Sequence, residues 1–598
     1  MNVSTGDIVS RVYGNFRGVD FRGEEINIRR SPDSLNVWKD YRKTESIRTR
    51  PGMKRLYTSS GLLSSVSSIS YYKGLVIAHV GTELIEMTYS GKVLKTIAQV
   101  SYGRGNSFVY NGIFYYLDGF DKYIQYDGNE AKEVEGYVPT TSIGRRPSGG
   151  GTIHEDVNML SPYRINTFLA DGKSNTYFLD VQNIDSDVTP EITVNGEIYP
   201  MNNRDNTSNW FVDYEQGIID FLGNPPPAPD TDGQDNVKIK FKKTKSTDAD
   251  GNTINIYEKY RQSIIKCKLL QVFDNRVFVS GNYNYPNYVW HCSLDDPTYF
   301  SDLDYYREGM DEAKINGMVA GNNALWVFRE PSDSNTNVFY HTPTIDAEYG
   351  KIYPSSHSSI TIGCRGKAIN FNDDIVFFSE RGMEGISGDI TTEQAVAHRS
   401  SLVDRKMIAE NNYSSMILEE WEGYLLVITD SRVYLADSRT AFSNEGHIEY
   451  DWFYWELSHK INCTRVILGT LFLGTDDGIY TMSALTKENG AYTQQTDDGA
   501  NFESYWVTPK DKFNSAHKLK TTNKRGCTVE AEGDISVYVK TEDTEFELVG
   551  TYENITDYFV SRIKRKKWKD IQLKFHSNTR FSLETATLEA FIGGYIKR

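Results

Sequence analysis

The sequence predicts an all-β protein: a β-propeller of about seven blades, with an inserted β domain and a C-terminal β-sandwich-like domain. Three observations carry this prediction. A turn-and-strand unit recurs along the chain at a long, regular spacing. Aromatic residues make up 13% of the chain, including 40 Tyr, a composition that favours strands over helices. Helical periodicity is nearly absent, and only residues 404–411 and 310–315 could hold a turn or two.

The recurring unit is a polar or Gly-containing turn followed by a short apolar strand, as in Tyr72-Lys73-Gly74-Leu75-Val76-Ile77. Most copies continue into a second short strand. The turns supply residues that tolerate φ > 0, as tight hairpins require. The copies begin at Tyr72, Tyr110, Phe273, Ala320, Phe371, Trp421 and Leu468.

The spacing of the unit distinguishes a propeller from a sandwich. Gly74 and Gly112 are 38 residues apart. From Asn275, the steps to Asn323, Asp373, Gly423 and Gly469 are 48, 50, 50 and 46 residues. A four-stranded blade takes ~40–50 residues, whereas sandwich strands recur every ~8–12 residues without a longer period. We therefore count about seven blade-like units.

The domain organisation follows from where the period is interrupted. The step from Gly112 to Asn275 is too long for one blade, so an inserted domain must lie between them, with Gly149-Gly150-Gly151 as a hinge. After about residue 505 the blade spacing is lost. Strands with alternating polar and apolar residues, such as 535–539 and 571–575, indicate a sandwich with one solvent-exposed face. The predicted segments are an extended N-terminal arm (1–60), a first propeller segment (61–150), the inserted β domain (151–262), a second propeller segment (263–504) and the C-terminal β domain (505–598).

Charge and cysteine content narrow the function classes. The net charge of −16 argues against a protein that grips DNA by its phosphates, although not against a surface that DNA slides past. Five widely spaced cysteines without a C-x-x-C pair predict scattered buried thiols. The N-terminus lacks the layout of a signal peptide, so we expect the chain to start in a cytoplasm.

Three stretches resemble ligand-binding motifs but depart from them. Asp248-Ala249-Asp250-Gly251-Asn252 resembles a calcium loop, yet aligning Gly251 puts Ser246 and Tyr257 where carboxylates are needed, so a polar hairpin turn is expected. The Gly-rich run 144–152 lacks Gly-Lys-Ser/Thr. Gly172-Lys173-Ser174 has that tripeptide, but Thr167 stands where the first Gly of a phosphate loop belongs. Both are expected to be linkers or turns.

Neither nucleic-acid binding nor catalysis has a strong motif. Lys564-Arg565-Lys566-Lys567-Trp568-Lys569 could touch nucleic acid, but its place before a strand favours a solvated or subunit-contacting edge. No Asp-box repeat is present, and Asp476-Asp477-Gly478-Ile479-Tyr480 lacks the Trp of that motif. Metalloprotease and hydrolase-elbow motifs are missing as well. We therefore predict no catalytic, cofactor-binding or metal-binding residues, no cofactor and no enzyme activity.

The arm is the most specific stretch of the sequence. It contains Asn15-Phe16-Arg17-Gly18-Val19-Asp20, then Arg30-Ser31-Pro32-Asp33-Ser34-Leu35-Asn36-Val37-Trp38, then Arg48-Thr49-Arg50-Pro51-Gly52. These motifs resemble the opening of the bacteriophage tail proteins often called stabilisation, hub or nozzle proteins, found in short-tailed phages. Residues 217–221 with Pro225-Pro226-Pro227, and the ending with Trp568 and Gly593-Gly594-Tyr595, resemble the inserted and final domains of that family.

The resemblance implies a structural protein of the virion tail, assembled in the host cytoplasm. In that family the chain forms a ring, usually of six subunits, below the portal and adaptor proteins. The ring closes the filled head and conducts genomic DNA without sequence-specific binding, and tail fibres or spikes dock outside. An acidic channel wall would repel the DNA phosphates and so prevent the duplex from binding to it. Two alternatives stay open: a glycan-binding or glycan-cleaving propeller, and a cytoplasmic scaffold that binds partner peptides.

Overall fold

The computed structural model describes residues 8–41, 46–61, 64–199, 209–248, 250–347, 350–386, 395–410, 412–444, 447–488, 490–542, 544–563 and 567–595. Within these residues the protein is nearly all β, as predicted. The exceptions are the α-helices Ile256–Ile265 and Asp404–Met407 and the 3-10 turn Tyr413–Ser415. The helical turn predicted within 404–411 is present, whereas 310–315 holds no helix. The longer helix was not predicted, although the Asn255 side chain caps it by accepting the Glu258 N–H at 2.9 Å.

Seven four-stranded sheets, numbered here in chain order, account for the recurring unit within the described residues. Repeated sheets of this kind are the units of propellers, so the fold is propeller-like. Sheet 7 takes its fourth strand, Met53–Thr58, from the N-terminal arm, and this strand pairs antiparallel with Gly478–Met482. The strands are Val66–Tyr72, Leu75–Val80, Glu83–Met87 and Val93–Gln99 (sheet 1); Asn106–Tyr110, Ile113–Leu117, Tyr123–Tyr126 and Ala131–Glu133 (sheet 2); Leu269–Phe273, Arg276–Asn282, Tyr285–His291 and Tyr305–Arg307 (sheet 3); Ile315–Gly321, Ala324–Arg329, Val338–His341 and Ser355–His357 (sheet 4); Ala368–Phe371, Asp374–Ser379, Gly382–Ile386 and Val396–His398 (sheet 5); Ile417–Trp421, Tyr424–Thr429, Arg432–Asn444 and His447–Glu456 (sheet 6); and Cys463–Ile467, Thr470–Gly474, Gly478–Met482 and Met53–Thr58 (sheet 7).

The predicted hairpin turns are confirmed in all seven sheets. Each joins the first two strands of its sheet, and both central residues have positive φ, the signature of a type I′ turn. The pairs are Lys73 and Gly74, Asn111 and Gly112, Asp274 and Asn275, Asn322 and Asn323, Asn372 and Asp373, Glu422 and Gly423, and Leu468 and Gly469. Leu468 is unusual because leucine gains nothing that offsets the steric cost of φ +49°.

The inserted region contains two sheets and a hairpin, and its strands include Thr176–Phe178, Glu191–Val194 and Val237–Lys242. Its first long strand, Thr140–Arg145, starts before the predicted boundary at 151. The buried side chains between the sheets include Phe168, Trp210 and Ile219. The six-stranded sheet runs Thr152–Ile153, Thr140–Arg145, Tyr163–Phe168, Val237–Lys242, Glu191–Val194 and Glu197–Ile198; the three-stranded sheet runs Thr176–Phe178, Ile218–Phe221 and Trp210–Asp213; the hairpin is Lys245–Thr247 with Thr253–Asn255. A further hairpin, Thr344–Asp346 with Gly350–Ile352, lies within the chain segment of sheet 4.

The C-terminal region and the N-terminal arm form one sheet of eleven strands within the described residues. The predicted arm is therefore extended, but its first four strands are members of the C-terminal sheet and its fifth, Met53–Thr58, belongs to sheet 7. One side of this sheet packs in a core that includes Val529, Phe575 and Leu588. The strands are Ile8–Gly14, Ser34–Leu35, Val37–Lys39, Ile47–Thr49, Ser504–Val507, Lys518–Thr541, Glu547–Ile555, Tyr558–Ser561, Lys567–Trp568, Ile571–Ser577 and Phe581–Tyr595.

The chain divides into two compact units. The first comprises Met1–Thr96, Trp326–Phe339 and His357–Arg598, and the second comprises Ile97–Leu325 and Tyr340–Ser356. In the first unit, sheets 1 and 7 pack together through side chains such as Val76 and Phe472. In the second, sheets 2 and 3 and the helix Ile256–Ile265 share a core. A search of the described residues found no helix with the length and apolar character needed to cross a membrane.

Candidate functional site

The arm motifs form the most elaborate polar site of the first unit. We call arm residues 15–52 and their partners in 449–507 the arm site. At its start, Gly18 has φ +78°, and a Cβ there would lie 2.0 Å from the carbonyl oxygen of Trp452. The next residue, Val19, donates its N–H to the same oxygen at 2.7 Å. Glycine is required here because the arm backbone touches the backbone of sheet 6.

Two arginines of the arm bind one buried aspartate of sheet 6. Arg30 Nη2 lies 2.6 Å from Asp451 Oδ1, and Arg17 Nε lies 3.0 Å from Asp451 Oδ2. Burial lowers the pKa of Arg30, and the Asp451 carboxylate acts in the opposite direction. Removing a partner from such a group leaves a desolvated charge, so the cluster fixes the arm against this sheet.

The middle of the motif connects the arm to the C-terminal sheet. Ser31 Oγ donates to the carbonyl oxygen of Val507 at 2.7 Å. Asn36 has φ +54°, and its Oδ1 accepts the Glu456 N–H at 2.9 Å and Arg50 Nε at 3.0 Å. Its Nδ2 donates to the carbonyl oxygen of Glu503 at 2.8 Å. One asparagine side chain thus links the arm to sheet 6 and to the strand that follows sheet 7.

The end of the motif is held by a second buried ion pair. Arg50 binds Asp497 through two parallel contacts, Nη1–Oδ1 at 3.0 Å and Nη2–Oδ2 at 2.8 Å. The Arg50 side chain has no exposed surface. Its guanidinium also lies over the Phe502 ring, 3.8 Å from the centroid. Next to it, a Cβ on Gly52 would lie 2.3 Å from the carbonyl oxygen of Thr496, so the Arg-Pro-Gly motif is explained by local packing.

An aromatic cluster completes the arm site. Trp38 stacks on Trp421 with centroids 5.6 Å apart and an interplanar angle of 2°. It donates its indole N–H to Tyr492 Oη at 2.9 Å, and Tyr492 in turn donates to Asp40 at 3.1 Å. Arg48 Nη1 donates to the same Asp40 at 3.0 Å. Every polar group named here contacts another, so these contacts hold this part of the arm in place.

A second polar cluster lies in sheet 5. His398 donates from Nδ1 to Glu384 at 3.1 Å and from Nε2 to Asp404 at 2.6 Å. Burial by itself would lower the pKa of His398, but the hydrogen bonds to Asp404 and Glu384 outweigh it and raise the pKa to about 10. The two carboxylates therefore hold the imidazole through both of its ring nitrogens.

In two of the loops that resemble ligand-binding motifs, an aspartate side chain accepts hydrogen bonds from backbone N–H groups of its own loop. Asp248 Oδ1 accepts the N–H groups of Asp250 and Asn252 at 3.0 and 2.7 Å, in the turn of a hairpin, as predicted. Asp171 Oδ1 accepts the N–H groups of Lys173 and Ser174 at 2.8 and 2.7 Å, so a carboxylate occupies the place of a phosphate. Across the described residues, no group of three or more His, Cys, Asp or Glu side chains is arranged to hold a metal ion.

Three further features of the sequence remain: the basic run, the loop that resembles an Asp box, and the cysteines. In the basic run, 564–566 lie outside the described residues. Trp568 is 1% exposed and donates its indole N–H to Thr522 at 3.1 Å, so it cannot stack on a base. In the loop that approaches an Asp box, Asp477 accepts from Thr475 at 2.6 Å. All five cysteines are buried free thiols, as predicted.

Sequence reasoning found the arm motif but missed its partners. Asp451 lies 421 residues from Arg30, and Asp497 lies 447 residues from Arg50. Neither aspartate belongs to a recognisable motif, and no local pattern could have connected it to the arm.

No protein-family model matches the chain, and no curated protein matches it. Solved structures with some likeness include the computationally designed Ika8 protein (11% identity, TM-score 0.31, covering 72% of this chain and 99% of that chain). BamB from Moraxella catarrhalis has 11% identity and a TM-score of 0.30, covering 73% and 96%. An exo-β-1,3-galactanase from Phanerochaete chrysosporium has 10% identity and a TM-score of 0.22, covering 57% and 98%. At these values the likenesses carry no argument about function.

Proposed function

We propose that this protein is a structural component of a bacteriophage tail, a nozzle or hub subunit that assembles with other copies into a ring. The ring would lie below the portal and adaptor proteins, close the filled head and conduct DNA during ejection, with fibres or spikes docked outside. The observation that carries the proposal is the arm motif from Asn15 to Gly52, which resembles the opening of that family.

The arrangement of the arm site supports an architectural role. A side chain at Gly18 or Gly52 would clash with neighbouring backbone, and loss of Arg50 would leave the buried Asp497 without its partner. A motif of this kind is needed to build the subunit, and it offers no reactive group to a substrate. The net charge of −16 suits a conduit through which DNA must slide.

We further propose that the seven sheets are the blades of one closed propeller. The support is the pairing of Met53–Thr58 with Gly478–Met482, because a strand from the start of the repeat then completes the last sheet. Propellers must close their ring to avoid leaving two unpaired ends.

Imaging of tails and of the purified chain tests the proposal. The expected result is a ring with a central channel in negative stain, and the same ring at the head-proximal end of the tail in a reconstruction of virions. A chain that stays monomeric and is absent from tail particles would overturn it.

The glycan-cleaving alternative predicts a different measurement. It requires two carboxylates opposed across a substrate, whereas Glu384 and Asp404 lie on either side of His398 and bind it. Release of reducing sugar from host polysaccharide by the purified chain would favour the alternative.

A further inference from the structure

The C-terminal sheet has two open edges on opposite sides. Strand Ile8–Gly14, the arm edge, pairs with Phe581–Tyr595. Phe581–Tyr595 pairs with Lys518–Thr541 on its other side, and Lys518–Thr541 then pairs with Tyr558–Ser561, which we call the C-terminal edge. Among the described strands, neither edge has a partner beyond the sheet.

The cross-strand register shows that both edges end the same rows of side chains. One row runs Val12, Thr587, Thr528 and Val560, and the next runs Gly14, Thr585, Glu530 and Tyr558. The outermost side chains are apolar and well exposed: Ile8 56%, Val12 55%, Tyr558 64% and Val560 39%. A flat row of this kind continues naturally into another strand with the same alternation.

Each edge lacks some of the features that usually prevent pairing, although the C-terminal edge is only four residues long. Proteins protect edge strands with charges, proline or very short length. The outermost strand of sheet 2, Ala131–Glu133, has three residues, two of them charged. By contrast, the C-terminal edge, Tyr-Phe-Val-Ser, has no charge. The one charge of the arm edge, Arg11, has its Nε 2.8 Å from Asp511.

The strand directions of the two edges are complementary. Each of the three pairings across the sheet is antiparallel, so the arm edge and the C-terminal edge run in opposite directions. If the arm edge of one copy lies beside the C-terminal edge of another, the combined sheet stays antiparallel. Such a contact joins two different surfaces, so it repeats from copy to copy and generates a ring when the rotation closes.

The complementary strand directions favour a second copy as the partner, and charge does not oppose it at these edges. Two chains that each carry −16 repel one another, and this repulsion is smallest where the meeting surfaces are uncharged. We infer that subunits of this protein associate head to tail, with the arm edge of one copy adding as a strand beside the C-terminal edge of the next. This inference rests on the proposed ring and names the surfaces that build it.

Single charges on each edge test the inference in the full chain. Val12→Asp disables the arm edge, and Val560→Asp disables the C-terminal edge. Because both side chains are exposed, each variant should keep the far-ultraviolet circular dichroism spectrum of the wild type, which shows that it is folded. Leu468→Asp, a charge at an exposed turn in sheet 7, is the matched control. Mass is measured by light scattering after size exclusion.

The expected result is a wild-type and control ring, two monomeric variants, and a one-to-one dimer when the two variants are mixed. The dimer follows because each variant keeps the edge that the other has lost. Variants that form wild-type rings would overturn the inference while leaving the proposed function standing. A mixture that stays monomeric would also overturn it. A wild-type chain that is itself monomeric at high concentration would contradict the ring, and the head-to-tail contact with it.

Discussion

The hairpin turns of the seven sheets and the arm site both hold strands together. The turns do so through adjacent residues, and the arm site does so through residues that are far apart in the chain. Each turn is fixed by two adjacent residues with positive φ, such as Asn111 and Gly112. The arm site depends on partners more than 400 residues apart, such as Arg50 and Asp497. The turns therefore form each sheet locally, whereas the arm site forms only after most of the chain is present. Long-range closure of this kind costs more entropy, so it must be supported by stronger contacts.

The largest expected effect is the loss of a long-range ion pair. Arg50→Met leaves Asp497 buried without its partner, which should lower the free energy of unfolding by about 3–5 kcal/mol. Arg55→Met is the control, because Arg55 is 31% exposed and its contacts with Asp477 and Asp498 should contribute less than about 1 kcal/mol. Urea denaturation followed by tryptophan fluorescence measures both. Equal losses would contradict the distinction between the arm site and surface pairs.

The next largest effect is expected where the backbone of Gly18 touches the backbone of Trp452. Gly18→Ala places a Cβ 2.0 Å from the Trp452 carbonyl oxygen, so we expect a loss of about 2–3 kcal/mol. Gly112→Ala has a similar φ, +74° against +78°, but meets nothing within 4 Å, so its cost should be about 1 kcal/mol. Calorimetric unfolding compares the two. If Gly18→Ala costs no more than Gly112→Ala, the close approach is not what selects the glycine.

The His398 cluster, which connects sheet 5 to the helix Asp404–Met407, gives a pH-dependent effect. The folded pKa of about 10 lies above the ordinary value of 6.5, so its stabilisation is complete below about pH 6.5 and is lost as the pH rises towards 10. His398→Gln should cost about 2 kcal/mol at pH 6, and this difference should shrink towards pH 10. The exposed His154→Gln serves as control, and a difference that is constant with pH would refute the assignment.

The smallest effect is expected in the hairpin turns. Leu468→Asn should stabilise the protein by about 0.5–1 kcal/mol, because asparagine adopts φ +49° more easily and Leu468 is 75% exposed. The mirror change, Asn111→Leu in the equivalent turn of sheet 2, should destabilise by about 1 kcal/mol. Thermal unfolding of both variants measures the shifts. Shifts of the same sign would show that the turn conformation is not the cause.

The helix Ile256–Ile265 shows where local reasoning fails. Its signals are a capping asparagine, Asn255, and ten residues without Gly or Pro. These are weak beside the strand composition of the chain, and only the burial of Ile264 and Ile265 explains why the segment is helical. Burial against distant segments cannot be read from a single stretch of sequence.

In the basic run, by contrast, a local signal was present but the structure gives the residue a different environment. Trp568 next to several lysines suggested contact with nucleic acid, yet the tertiary structure buries it against Phe513, with ring centroids 5.3 Å apart. The residue type was informative about size and polarity, but its environment was set by strands far along the chain.

Neighbouring residues are enough to specify the strand-rich composition, the seven hairpin turns and the arm motif, because φ preference and side-chain alternation act between them. Long-range packing is needed to bring the arm arginines to Asp451 and Asp497, to join the first four arm strands to the C-terminal sheet, and to place Val12 and Val560 at the ends of one row. These pairings connect residues hundreds of positions apart, and they are selected by the burial of whole sheets rather than by any local preference.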